Sequence, residues 1–176
     1  DYQDWCSFIT NDTNVYLLHS RLSIIDLDER SNQPFSFNDA TLVFNGEIYN
    51  YIEVRQELKK KGYVFSTDSD TEVLLKAYVE YGEDCVQHFN GMWAFVIWDE
   101  RNKKLFLSRD RFAEKPLYYF QDNDSFYSAT QIKAIQYLLQ KQQQINYDHI
   151  KHYLIYGYKY LYQSTVTYFR GITKME

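Results

Sequence analysis

The chain has 176 residues with a formal net charge of −5, and 45% of them are hydrophobic. That size and apolar share suit one globular domain with a sizeable core and exclude a disordered chain. The acidic balance argues against a nucleic-acid partner, and no apolar run is long enough to span a membrane. Two cysteines, Cys6 and Cys85, are too few for a disulfide framework and lack metal-site spacing, so a reducing, cytoplasmic setting is expected.

In chain order, residues 5–9 and 14–18 read as two short strands around the turn Asn11–Asn14. HSRLSIIDL (19–27) has a strand-like Ile24-Ile25 centre broken by polar residues, and 28–34 reads as a loop. A third strand is expected over Thr41–Phe44, stopping at Asn45-Gly46, a strong turn signal. Tyr51–Lys61 reads as an amphipathic helix closed by Gly62. A second helix opens in SDTE (69–72), where Ser69 or Asp70 can cap it, and ends at Gly82. A short helix over 84–89 leads to a second Asn-Gly, Asn90-Gly91. MWAFVIW (92–98) is continuously apolar and predicts a strand buried on both faces. Strands follow over 104–108, 117–120 and 125–128, then helices over 132–139 and 148–157. Strands, helices, strands and helices in segregated blocks predict an α+β layered domain, satisfied by two packed sheets with helices outside.

Three polar clusters follow predicted strands: Arg21, Asn45-Gly46-Glu47 and Asp68-Ser69-Asp70. A guanidinium, an amide beside a bare backbone N–H, and two or three carboxylates are the groups a free amino acid needs. Each also has a plain reading. Arg21 can pair with Asp26, Asp70 can be a helix cap, and Asn45-Gly46 can be a hairpin turn. Cys6 reads as a packed thiol rather than a nucleophile, and Asp84 beside Cys85 raises that thiol's pKa. His149 and His152, spaced i, i+3, read as a solvated face rather than a ligand pair.

RLSIIDL (21–27), FNGEIYNY (44–51), SDTEVLLKAY (69–78), GEDCVQHFNGMWAFVIWD (82–99) and SRDRFAEKPLYY (108–119) resemble, in this order, the glutaminase part of glutamine-hydrolysing asparagine synthetases. The resemblance implies a class II glutamine amidotransferase domain with the N-terminal-nucleophile hydrolase fold, a four-layer αββα sandwich. It implies that Arg21 holds the glutamine α-carboxylate, with backbone groups of Leu22, Ser23, Ile24 and Ile25 lining the same pocket. Glu47 and Asp70 would hold the α-ammonium, and the Asn45 side chain and Gly46 N–H would form the oxyanion hole. The family's nucleophile is an N-terminal cysteine, expected upstream of Asp1, so the chain is expected to be N-terminally truncated and inactive alone. Residues 1–160 would form the partial amidotransferase domain, and 161–176 the lead-in to a synthetase domain in cis. No metal or cofactor is expected in the amidotransferase domain itself. ATP and Mg are expected in the synthetase part, which would amidate aspartate. The resemblance leaves room for a homodimer. Ala113-Glu114 stands where Gly-Ile is commoner in the family. That departure implies a second reading, amide transfer to another carboxylate, as in relatives tied to surface polysaccharides. A third is a non-catalytic, glutamine-sensing relative.

Overall fold

The structure, a computed structural model, describes residues 2–9, 13–21, 29–140, 143–157 and 165–175, with Tyr2, Gln3 and Arg21 described at the backbone alone. Leu22, Ser23, Ile24 and Ile25 therefore lie outside the described residues, as does Asp26. The chain forms two compact units, Asp1–Asp110 and Arg111–Glu176.

In the first unit, β1 (Tyr2–Ile9) and β2 (Asn14–Arg21) pair as an antiparallel hairpin. A separate four-stranded sheet runs β3 (Phe35–Phe37), β4 (Ala40–Ile48), β5 (Gly91–Asp99), β6 (Lys104–Arg109), all antiparallel. The period-2 rule sorts its side chains onto two faces. Leu42, Phe44, Phe95 and Ile97 face the helices α1 (Tyr51–Lys60) and α2 (Asp70–Tyr81), packing with Val54, Leu58, Val73 and Leu74 into the main core. Val43, Val96, Trp98, Leu105 and Leu107 face the hairpin, meeting Val15, Leu17, Cys6 and Phe8. Strand β5 feeds both clusters, which is why its run is apolar without alternation. Helix, sheet and sheet are thus three stacked layers in this unit.

The second unit holds β7 (Tyr118–Gln121) paired with β8 (Phe126–Ala129) on one side and β9 (Thr173–Lys174) on the other. Helices α3 (Ile132–Leu139) and α4 (Tyr147–Tyr156) complete it. His149 is 2% exposed and sits edge-on to the Tyr168 ring at 4.9 Å, so the solvated-face reading fails for it. Burial lowers its pKa first, and His152 and Lys174 add repulsion.

The expected turn at Asn45-Gly46 is not there. Strand β4 continues through both residues to Ile48, in unbroken register with β5. Asn-Gly signals a turn through its tolerance of positive φ; here Gly46 has φ +156 within the strand, and its missing side chain also serves a close approach between strands. A Cβ on Gly46 would overlap the Met92 carbonyl oxygen and lie 2.7 Å from Trp93 Cα. On the partner strand, a Cβ on Gly91 would overlap the Glu47 carbonyl oxygen. Gly46 and Gly91, the glycines of the two Asn-Gly pairs, sit in one ladder. The sequence signal also missed β3 and β9, which are two or three residues long.

Candidate functional site

Strand β3 pairs with β4 only from Ala40 to Leu42. From Phe44 onward, no strand among the described residues pairs with one edge of β4. Phe44 N–H donates to Gln33 Oε1 at 2.6 Å, and Ile48 N–H donates to Asp70 Oδ2 at 3.0 Å. Between them stands Gly46. Its register partner is Trp93, which uses both backbone groups on the β6 side. Trp93 N–H donates to Asp110 Oδ2 at 3.2 Å, and Trp93 C=O accepts from Asp110 N–H at 2.8 Å. Gly46 and Trp93 are therefore a non-hydrogen-bonded pair, and the Gly46 N–H points to the open edge. No acceptor for it occurs among the described residues. A backbone donor left open between two occupied neighbours is a ready hydrogen-bond site for a ligand oxygen.

Asn45 and Glu47 point to one face of β4, two residues apart. Asn45 is exposed, and its amide makes no hydrogen bond among the described residues. Glu47 is half-buried. Asp70 reaches the same strand end from the start of α2 and is 5% exposed. It is not the helix cap: Ser69 Oγ accepts from Glu72 N–H at 3.3 Å and takes that role. Asp70 is free to bind β4 instead. Burial raises its pKa above the ordinary aspartate value, and the neighbouring Glu47 charge pushes the same way. The N–H groups of Ile48, Thr71 and Asp70 itself pull in the opposite direction. Two adjoining carboxylates, one reluctant to ionise, favour a cation between them.

The structure brings together Asn45, Gly46, Glu47 and Asp70. Arg21 ends β2, and its side chain is outside the described residues. The preceding part of β2 does approach β4, since the His19 ring Nε2 lies 3.1 Å from the Phe44 carbonyl oxygen.

Several supporting residues, though some lie within the sequence motifs, have no role assigned from the sequence. Gln33 caps Phe44 and also donates to Thr71 Oγ1 at 3.4 Å, tying β4 to α2. Asn50 accepts from Asn90 N–H at 2.8 Å and donates to His88 C=O at 2.9 Å, closing the far end of β4 onto β5. Arg55 of α1 donates to the carbonyls of Thr67 and Ser69, both at 3.0 Å. Glu72 is 1% exposed and accepts from the N–H groups of Ser66 and Thr67, their hydroxyls, and Lys76 Nζ at 2.6 Å. Burial pushes its pKa up, but Lys76 and these donors outweigh that and hold it at about 2. Helical spacing predicts such contacts only within one helix, so long-range anchors of this kind escape it.

Neither cysteine is an activated thiol. Cys6 packs in the hairpin cluster, where burial and then Asp4 raise its pKa. Cys85 is fully buried and is pushed up by desolvation to about 12. Among the described residues, no group of three or more His, Cys, Asp or Glu is placed to hold a metal ion. No helix among them is long and apolar enough to cross a membrane.

A family model described as a glutamine amidotransferase domain matches residues 3–176. Asparagine synthetase [glutamine-hydrolyzing] 1 of Bacillus subtilis (strain 168) is 50% identical over 127 residues, covering 71% of this chain and 20% of that protein. Asparagine synthetase [glutamine-hydrolyzing] 3 of the same organism is 41% identical over 133 residues, covering 73% of this chain and 22% of that protein. The chain thus spans about a fifth of the length of these relatives. Among solved structures, the glutamine phosphoribosylpyrophosphate amidotransferase of B. subtilis, complexed with ADP and GMP, is similar with a TM-score of 0.59 and 25% identity, over 69% of this chain and 28% of that one. The layered α+β architecture is that of the N-terminal-nucleophile-type amidotransferases. With the family model matched over almost its whole length, the chain belongs to the glutamine amidotransferase domain family.

Proposed function

We propose that this chain is the glutamine-handling part of an enzyme similar to asparagine synthetase. It would bind glutamine, support release of its amide nitrogen as ammonia, and pass that ammonia to a synthetase part of the same protein. The observation that carries this reading is the Gly46 N–H at the β4 edge beside the Asn45 amide, neither of which is engaged among the described residues. Both donors suit the carbonyl oxygen of a side-chain amide as it becomes an oxyanion. Glu47 and Asp70 suit the α-ammonium. Arg21, with the backbone of Leu22, Ser23, Ile24 and Ile25, would take the α-carboxylate, as a guanidinium does in bidentate fashion.

The nucleophile in this reading is an N-terminal cysteine of the full protein, with its free amino group as base. Cys6 and Cys85 are unsuited to the role. ATP and Mg would serve the synthetase part, with aspartate as acceptor. The relatives' names support aspartate. A cytoplasmic setting and a homodimer fit a biosynthetic enzyme of this kind. The test is the full-length protein supplied with glutamine, aspartate and ATP: asparagine should form, and Arg21→Ala should raise the KM for glutamine while ammonia-dependent synthesis survives. Loss of both activities in that variant contradicts the site.

A second reading keeps the amidotransferase chemistry and changes the acceptor. It rests on Ala113-Glu114. Ala113 has φ +58, a left-handed conformation that favours glycine, so the departure carries a local cost. Clear asparagine production excludes this reading. Absence of any glutamine hydrolysis, with glutamine still bound, would favour the sensing relative.

A further inference from the structure

The carboxylates of Glu47 and Asp70 reach the same strand end from different elements and repel each other. Their spacing has to be imposed by the framework. From Glu47 the chain passes through Ile48 into α1, whose fifth residue is Arg55. Arg55 is 9% exposed, and its guanidinium reaches the loop before α2. Nη1 donates to Thr67 C=O at 3.0 Å and Nη2 to Ser69 C=O at 3.0 Å. Ser69 directly precedes Asp70, which returns to Ile48 N–H at 3.0 Å. The circuit from β4 through α1, Arg55, Ser69 and Asp70 back to β4 is closed. The planar fork is held by the rings of Tyr51 and Phe65, whose centroids lie 5.7 and 5.0 Å from its central carbon. Nη1 also meets Asp68 at 2.9 Å, but that carboxylate is 96% exposed and its contact is screened.

The opposite polarity of the same loop is held separately. Glu72 takes the N–H groups of Ser66 and Thr67. Glu72 and Lys76 already anchor the loop to α2, so anchoring the helix does not require Arg55. The distinct contribution of Arg55 is to tie the loop to α1, and through it to β4. Two buried carbonyls gripped by one guanidinium fix an angle as well as a distance, which an ammonium cannot reproduce.

We propose that Arg55 is a positioning residue for ammonium recognition: it sets the distance between Glu47 and Asp70 without touching the substrate. The inference rests on the reading of Glu47 and Asp70 as the ammonium site. Glutamine hydrolysis by the full-length protein tests it, comparing Arg55→Lys, Asp68→Ala and Asp70→Asn. Arg55→Lys should raise the KM for glutamine about tenfold, with kcat within twofold, because a positional error of this kind weakens binding before it affects the acyl chemistry. Asp68→Ala should leave the KM unchanged. Asp70→Asn should raise the KM at least as much as Arg55→Lys.

A raised KM in Asp70→Asn with an unchanged KM in Arg55→Lys overturns the positioning role alone. An unchanged KM in Asp70→Asn overturns the ammonium site itself, and the positioning role with it. A parallel fall in kcat and rise in KM for Arg55→Lys marks a general structural defect and also overturns the proposal. Should Arg55→Lys fail to fold, Phe65→Leu decides. It frees the guanidinium from one ring while leaving its donors, and it should raise the KM about threefold, whereas no change counts against the proposal.

Discussion

Asp70 Oδ2 accepts a hydrogen bond from the Ile48 backbone N–H at 3.0 Å, across 22 residues of sequence. One carboxylate thereby caps the unpaired edge of a strand, starts a helix and stands beside a second carboxylate, Glu47. Burial raises its pKa, so in the empty site ionisation costs stability as pH rises through that value. A bound ammonium favours the ionised form. Glutamine binding to the full-length protein should therefore weaken as pH falls through the raised Asp70 pKa, and should release protons in that range. Calorimetry in two buffers of different ionisation enthalpy measures this. Proton uptake would contradict the assignment.

Glu72 titrates in the opposite sense. Its folded-state pKa of about 2 lies below the ordinary glutamate value of 4.5. Its contribution is complete above about pH 4.5 and is lost as pH falls toward 2. Glu72→Gln leaves the buried Lys76 ammonium without its carboxylate, which should cost about 3–5 kcal/mol. Urea unfolding at pH 7 checks the size. The loss should shrink when both proteins are measured near pH 3.

Gly46→Ala should destabilise by about 3 kcal/mol or more, since its Cβ would meet the Met92 carbonyl, Trp93 Cα and the Phe44 ring. Neither strand backbone can retreat without breaking the β4–β5 ladder. Gly62→Ala is the control, because a Cβ there meets nothing within 4 Å. It carries only the strain of φ +97, about 1–2 kcal/mol. Thermal melts of the two variants should separate clearly.

Ala113→Gly should stabilise the protein by about 0.5–1 kcal/mol. Its φ of +58 penalises a Cβ by more than the added chain entropy of glycine. A lower melting temperature in this variant would falsify the strain argument.

Much of this was legible in the residues. The helices over Tyr51–Lys60 and Asp70–Tyr81, the two-faced burial of Gly91–Asp99 and the segregated α+β order all follow from periodicity and capping residues. Asn45-Gly46 misled, because local turn propensity cannot see that a second glycine, Gly91, will face the same ladder. The candidate site residues lie in recognisable motifs, but the roles of the residues that frame them are not legible there. Gln33, Arg55 and Glu72 act across loops, and each binds at least one backbone group, which leaves no mark in side-chain pattern. The burial of His149 is hidden in the same way, since its neighbour Tyr168 comes from a separate segment.

The central claim is that the β4 edge at Asn45-Gly46 stabilises an oxyanion formed from glutamine. Asn45→Ala in the full-length protein tests it most directly, because the amide is exposed and makes no hydrogen bond among the described residues. The kcat for glutamine hydrolysis should fall about 100- to 1000-fold with the KM little changed, while ammonia-dependent synthesis persists. A kcat equal to that of the unmodified protein would contradict the account.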